Sequence, residues 1–249
     1  MPFTLAHPAA VLPLRDLRLP MPAMVAGAMV PDLPMLLGFG SRHLSHSFLG
    51  VVTLDLAMGL AALVLWYAVY RRPLADLAFD PWRGRLPDVV PMDVRTWLLS
   101  VPGVVVGALT HVVWDAFTHD DTWGVDLVPA LTESYRGVAV YEVLQQVFSA
   151  VGLVAVLWVA WRYLSSLPER PPRPAPVVGR WALIVALATA ALLGMGFSAL
   201  LAPYGLEAAA YYGVVTPMLA AGLGVTCVCL WWQVKYRWQA RRRGTRARG

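Results

Sequence analysis

Charge is what this chain has least of. Asp, Glu, Lys and Arg make up 14% of its 249 residues, against 58% hydrophobic ones, where a soluble domain would carry nearer a quarter charged. That deficit excludes an ordinary soluble enzyme and points to an integral membrane protein. Cysteine is nearly missing: Cys227 and Cys229 lie two apart in one apolar run. On a helix they point to different faces, and no further Cys or nearby His completes a metal set. They read as small buried or lipid-facing side chains. A signal-peptide layout is missing too, because in MPFTLAHPAAVLPLRDLRLP the positive charges follow the apolar stretch and prolines interrupt it. Histidine is absent beyond Asp120, leaving His7, His43, His46, His111 and His119. The polar chemistry belongs to the first part of the chain; the remainder only spans.

The net charge of +5 is not a nucleic-acid signal. The arginines cluster between apolar runs and in the tail WWQVKYRWQARRRGTRARG, as expected of cytoplasmic loops and headgroup contacts. The bilayer is the partner this implies; no nucleic-acid partner is expected, and oligomeric state is not legible.

In chain order, residues 1–40 are apolar but cut by Pro2, Pro8, Pro13, Pro20 and Pro22. The pieces Thr4–Leu14 and Ala23–Val30 are each too short to cross a core that needs about 20 helical residues. Either they form a re-entrant hairpin of two short antiparallel helices, or one tilted span runs from about Pro20 to Phe39, broken at Pro31. Asp32 lies between two prolines, as a turn cap or a ligand. The loop GFGSRHLSHS carries His43 and His46, with Ser45 expected to cap the next helix. Spans are expected at Ser47–Tyr70, Trp97–His119, Val138–Tyr163, Trp181–Leu201 and Tyr211–Val234. Pro102 and Gly103 predict a kink or a close helix contact in the second of these. Arg71–Arg95 reads as a polar loop, and LPERPPRPAPVVGR as an extended linker. The last two helices offer Gly194, Gly196, Gly222 and Gly224 for close packing. The expected architecture is an all-α polytopic membrane helix bundle of about five full spans plus the broken N-terminal hairpin, with six spans as the alternative. Its parts are a polar-site-bearing membrane domain (1–165), a Pro/Arg linker (166–180), a helix pair (181–234) and a basic tail (235–249).

Arginine and lysine concentrate at 71–95, at 162–180 and in the tail. The loops at 38–46 and 120–137 hold only Arg42 and Arg136. This alternation places the rich loops and the C-terminus in the cytoplasm, in a cell (inner or plasma) membrane. His43, His46, His111 and His119 then gather at the outer side, and His7 joins them only in the hairpin alternative.

The densest chemistry is GALTHVVWDAFTHDD, Gly107–Asp121. His111, Asp115 and His119 recur at every fourth position, so a continuous helix would project all three from one face. Imidazole and carboxylate are the usual ligands of zinc and similar divalent ions. Asp55, inside a span, is of second rank and expected to pair with another helix. Glu142 and Gln146 share a face at the level of His111.

The opening MPFTLAHPAAVLPL, the VPDLP element, the HLSHSFLG helix start and GALTHVVWDAFTH resemble an uncharacterised bacterial multi-pass membrane family, domain of unknown function 4184. That family is distantly similar to membrane-bound metal-dependent hydrolases of the zinc-dependent phospholipase C type. The resemblance covers roughly residues 1–165 in detail. It implies metal ligands at His7, Asp32, His46, His111 and Asp115, although Pro31-Asp32-Leu33-Pro34 departs from the hydrolases' Pro-Asp-x-Asp-His. The implied activity is hydrolysis of a phosphoester or lipid-linked substrate with a divalent metal, zinc first. His43, His119, Asp120 and Glu142 are then candidates for catalytic proton transfer or for supporting the ligands. A metal-ion or proton transporter, or a structural membrane protein tied together by the polar cluster, are the competing classes.

Overall fold

A computed structural model describes residues 4–39, 41–87, 92–171 and 173–246. Pro2, Gly40 of the glycine loop, residues 88–91 of the arginine-rich loop, Pro172 of the linker and the last three residues of the tail lie outside these. The architecture is an all-α helical bundle. Among the described residues, five helices are long and apolar enough to cross a membrane, and a shorter apolar one precedes them. We label them α1 (Met21–Leu36), α2 (Phe48–Leu77), α3 (Val94–Ala116), α4 (Val140–Ser166), α5 (Trp181–Leu201) and α6 (Leu206–Arg246). The chain is a multi-pass membrane protein. It divides into two compact units, Met1–Val64 with Pro91–Ser166, and Leu65–Val90 with Leu167–Gly249.

The first unit begins with a 3-10 leg, Thr4–Leu17, where the sequence suggested a helix ending at Leu14. Pro8 and Pro13 each remove an N–H donor, which suits a helix of looser hydrogen bonding than α. The chain turns at Arg18, in left-handed backbone at φ 58, and re-enters as α1 with Pro22 in the first turn, where a missing N–H costs nothing. Pro31 breaks α1 into a 3-10 turn, Val30–Asp32, before Leu33–Leu36 completes it. Sixteen residues rise about 24 Å, short of a core of about 30 Å. The two legs pack on each other, and Thr4 Oγ1 donates to Asp32 Oδ2 at 2.7 Å across their ends. This is the hairpin alternative, extended to Leu17 and Leu36.

α1 lies against α3 through small residues. Gly103 and Gly107 on α3 are four apart, as are Ala23 and Gly27 on α1, so each pair lines one helix face. A Cβ at Gly107 would stand 2.0 Å from the Met24 carbonyl oxygen, and one at Gly27 2.1 Å from that of Val104. Backbone thus meets backbone, as small-residue interfaces in membranes allow. Of the two outcomes expected at Pro102 and Gly103, close contact is the one found. α3 runs on as α-helix through Pro102, and Gly103 faces Ala23. α2 packs on the same helix, with Val51 against Ala108 and Val112 and Gly59 against Val104. The 3-10 leg also lies on α4, where Gly152 faces Ala6 and Ala9.

Several boundaries differ from the sequence reading. α2 is capped by Ser47, whose side chain accepts from Gly50 N–H, and not by Ser45. It also continues through Arg71–Leu77, part of the stretch read as a polar loop. Arginine permits this because its long stem can stay in an apolar layer while the charge reaches water. α3 starts at Val94 because Asp93 caps it, accepting from Thr96 N–H at 2.8 Å. It ends at Ala116, so His119 lies beyond the helix. Between α3 and α4 stand a short helix, Trp123–Leu127, and a hairpin pairing Ser134–Tyr135 with Val138–Ala139.

The second unit holds the end of α2, the short helix Asp80–Arg83, the linker and the α5–α6 pair. Gly194 meets Pro217 and Gly224 meets Ala186, while Gly196 and Gly222 face open space. Two of the four glycines expected at close contacts therefore are not there. Cys227 is exposed and Cys229 buried. Leu77, Val178, Ala182, Val228 and Trp232 form a core, and Asp76 is bonded to its Trp232. The Asp76 carboxylate accepts from Arg83 at 2.7 Å, Trp232 Nε1 at 2.7 Å and Val177 N–H at 2.9 Å. One acid thereby ties α2, the linker and α6.

Candidate metal centre

Within the first unit, four chain segments meet at the C-terminal end of α3. His111 and Asp115, one turn apart on α3, face the end of α1 with Asp32 and the start of the N-terminal leg with His7. The short helix Arg42–Ser45 brings in His46. The glycine face of α3 explains the convergence. Gly103, Gly107, His111 and Asp115 are successive fourth residues, so the surface that admits α1 continues into the polar cluster. His7, Asp32, His111 and Asp115 are each at most 2% exposed.

The distances are those of a ligand set. His111 Nε2 lies 3.5 Å from Asp32 Oδ1 and 3.6 Å from Asp115 Oδ2. His46 Nε2 lies 3.7 Å from Asp32 Oδ1 and 3.2 Å from Asp115 Oδ2. One ligand atom from each of these four residues falls within 4.8 Å of every other. Tetrahedral zinc with bonds of about 2.0–2.1 Å separates its ligand atoms by about 3.3–3.4 Å. His7, the other expected ligand, stands beside this group and not within it: its Nε2 lies 3.5 Å from Asp115 Oδ1 and its ring stacks on His111 at 3.7 Å between centroids.

The outer nitrogens are already spoken for. His111 Nδ1 lies 2.8 Å from the Ala28 carbonyl oxygen, to which it donates, so Nε2 turns its lone pair inward. His46 Nδ1 lies 3.0 Å from Ser45 Oγ; Ser45 thus orients His46 rather than capping α2. Both nitrogens of His7, His111 Nε2 and Asp115 Oδ1 are buried without a hydrogen-bond partner among the described residues. Each such atom costs about 1–3 kcal/mol when left unmade. A cation held between Asp32, His46, His111 and Asp115 would take up His111 Nε2, so the residues present fit a divalent ion. Burial pushes His7 down to about 3, which keeps its ring neutral.

The remaining predicted residues separate. His119, off the helix, turns back so that Nδ1 donates to the Asp115 carbonyl oxygen at 3.2 Å, while Nε2 lies 2.9 Å from Gln145 Nε2. It braces Asp115, and burial lowers it to about 4. His43 is exposed and its backbone N–H is held by Ser41. Asp120 and Glu142 are exposed, and Glu142 Oε1 takes a contact from Tyr141. Among the described residues no ion pair or hydrogen bond joins the side chains of His43, Asp120 or Glu142 to the cluster. The α4 residue that reaches it is Gln145, not Glu142 or Gln146. Asp55 is fully buried on α2, and neither oxygen has a hydrogen-bond partner among the described residues, against the expected interhelical pair.

Three contributors escaped the sequence reading. Arg42 Nη2 donates to Asp115 Oδ2 at 3.1 Å, Thr4 holds Asp32 and Gln145 holds His119. Arg42 was the one cation in an otherwise uncharged outer loop beside two histidines, which was the available signal.

The model of the family described as Domain of unknown function (DUF4184) matches residues 1–232. The chain belongs to this family. No curated protein and no solved structure matches it. In this DUF4184 protein the match takes in the N-terminal leg with His7, all four segments of the cluster and most of α6.

Proposed function

We propose that the protein is a membrane-embedded, metal-dependent hydrolase of a phosphoester, lipid-linked rather than freely soluble, with zinc at the His/Asp cluster. The observation that carries this reading is the convergence of ligand atoms from Asp32, His46, His111 and Asp115 within 4.8 Å of one another, beside buried atoms of His7, His111 and Asp115 without a hydrogen-bond partner among the described residues. A divalent ion held there supplies Lewis acidity and a water acidified from 15.7 toward about 7. His111, anchored on the Ala28 carbonyl, and His46, anchored on Ser45, keep their Nε2 atoms aimed inward. Thr4 fixes the Asp32 carboxylate, and His119 with Gln145 steadies the backbone of Asp115. Arg42 is about a third exposed and spends one guanidinium nitrogen on Asp115, so further N–H donors remain for a phosphoryl oxygen.

Hydrolysis adds a hydroxyl to phosphorus and a proton to the leaving alcohol. We assign that proton transfer to His43, exposed three residues before His46, with Glu142 on the first turn of α4 as the second candidate. The arginine distribution supports a cluster on the outer face and a cytoplasmic C-terminus, with the substrate arriving from the outer leaflet. The test is turnover by purified, zinc-loaded protein on phospholipid and lipid-phosphate substrates. Activity should vanish with chelator, return with zinc and be missing in His111→Ala. Failure of the loaded protein to release product from any of them counts against the reading.

Ion transport is the second reading, and Asp55 favours it: a buried carboxylate on a spanning helix, with no hydrogen-bond partner among the described residues, is a feature of ion pathways. Metal-dependent uptake into proteoliposomes, lost in Asp55→Asn, would select it.

A further inference from the structure

The second unit contains a cavity of about 550 Å³ that the hydrolase reading does not use. Trp232, Tyr236, Gln239 and Arg243 line it from α6 at steps of three or four residues, which is one helix face. Arg72 and Asp76 line it from α2, and Arg173 from the linker. Its floor is aromatic: Trp232 and Tyr236 stack at 4.9 Å with planes 7° apart.

The wall is unbalanced in charge. Four arginines, Arg72, Arg83, Arg173 and Arg243, face one acid, Asp76. That acid is consumed by Arg83, Trp232 and Val177. Arg72 rests over the Tyr236 ring at 5.2 Å and donates to its hydroxyl at 3.4 Å, contacts that leave its charge uncompensated. Among the described residues neither Arg72 nor Arg243 has an ion-pair partner. On the neighbouring faces of α6, Leu230, Val234 and Trp238 are exposed, as lipid-facing residues near an interface are. A cationic cavity with an aromatic floor, beside lipid-facing helix, suits a phosphate group carried on an acyl chain.

We propose that this cavity binds the phosphate headgroup of an anionic lipid, with Arg72 and Arg243 supplying the charge. The site is independent of the metal cluster and stands or falls separately from it.

The test is lipid retention by the full-length protein, purified in mild detergent, delipidated and mixed with phosphatidylglycerol or phosphatidylcholine, and read by native mass spectrometry. Phosphatidylglycerol should be retained in preference. Removing each arginine's charge should weaken retention about fivefold, and the pair Arg72→Gln with Arg243→Gln about twentyfold or more. Melting in lipid-free detergent controls for folding, and any variant that melts early is replaced by the corresponding Lys variant, which should retain the lipid. Equal retention of the two lipids, or wild-type retention by a folded double variant, overturns the proposal. Stabilisation by inorganic phosphate with no preference for phosphatidylglycerol overturns the lipid assignment and makes the ligand free phosphate.

Discussion

Gly107→Ala puts the most weight on the smallest change. Alanine is the better helix former by about 0.8–1.0 kcal/mol, so propensity alone predicts stabilisation. The added Cβ, however, would stand 2.0 Å from the Met24 carbonyl oxygen and 2.8 Å from Ala28 N. Ordinary contact needs about 3.5 Å, so α1 must retreat by about 1.5 Å, and backbone cannot rotate away as a side chain can. Overpacking of this kind costs about 1–3 kcal/mol. With a backbone clash the upper end applies, leaving a net loss of about 2 kcal/mol after the propensity gain. The same retreat withdraws the Ala28 carbonyl from His111 and Asp32 from the cluster, so metal should be lost together with stability. Thermal unfolding and elemental analysis in mild detergent should show Tm down by about 4–8 °C and metal content reduced. Gly196→Ala is the internal control, since nothing lies within 4 Å of its added Cβ. It should leave metal unchanged and Tm equal or higher. If Gly107→Ala keeps both its metal and its Tm, the close approach of α1 to α3 is not what builds the site.

Further outcomes are expected. Alanine at His46, His111 or Asp115 should each lower metal content, with double variants little worse than single ones because an incomplete set already binds poorly; Cys227→Ala and Cys229→Ala should change nothing, and metal retained by all three ligand variants would remove the site. Reporter fusions within 71–95, within 162–180 and at the C-terminus should all read cytoplasmic, and one outward reading breaks the arginine argument. The Asp80 carboxyl is held below its ordinary 3.8 by its hydrogen bond to Arg180, and that of Asp93 by the Thr96 hydroxyl and N–H. Both contributions are therefore complete above about pH 4 and lost as pH falls further, so the Tm deficit of Asp93→Ala should be full at pH 7 and smaller at pH 3. An equal deficit at both values would point to something other than the charged cap.

The sequence carried the spans and the heart of the cluster for a physical reason: hydrocarbon demands about 20 apolar residues at a time, and a one-turn spacing fixes His111 and Asp115 on one face. It also made His7 conditional on the prolines at 8, 13, 20 and 22, and the fold-back they cause is what sets His7 beside Asp115. Helix phase was harder. α4 is exposed around most of its circumference, so nothing in its pattern distinguished Gln145 from Gln146 or Glu142. Helix ends were hardest. Asp93 moved the start of α3 three residues earlier, and its end at Ala116 put His119 in a turn, where it braces Asp115 instead of sharing its face. Thr4 and Arg42 are tertiary contacts across 28 and 73 residues, which no local pattern encodes.

X-ray absorption at the zinc edge on the purified, zinc-loaded protein tests the central claim most directly. The account predicts a shell of nitrogen and oxygen only, at about 2.0–2.1 Å, with the outer-shell scattering of histidine rings, and its loss in His111→Ala. A sulfur shell at about 2.3 Å, or a wild-type signal no greater than that of His111→Ala, would contradict it.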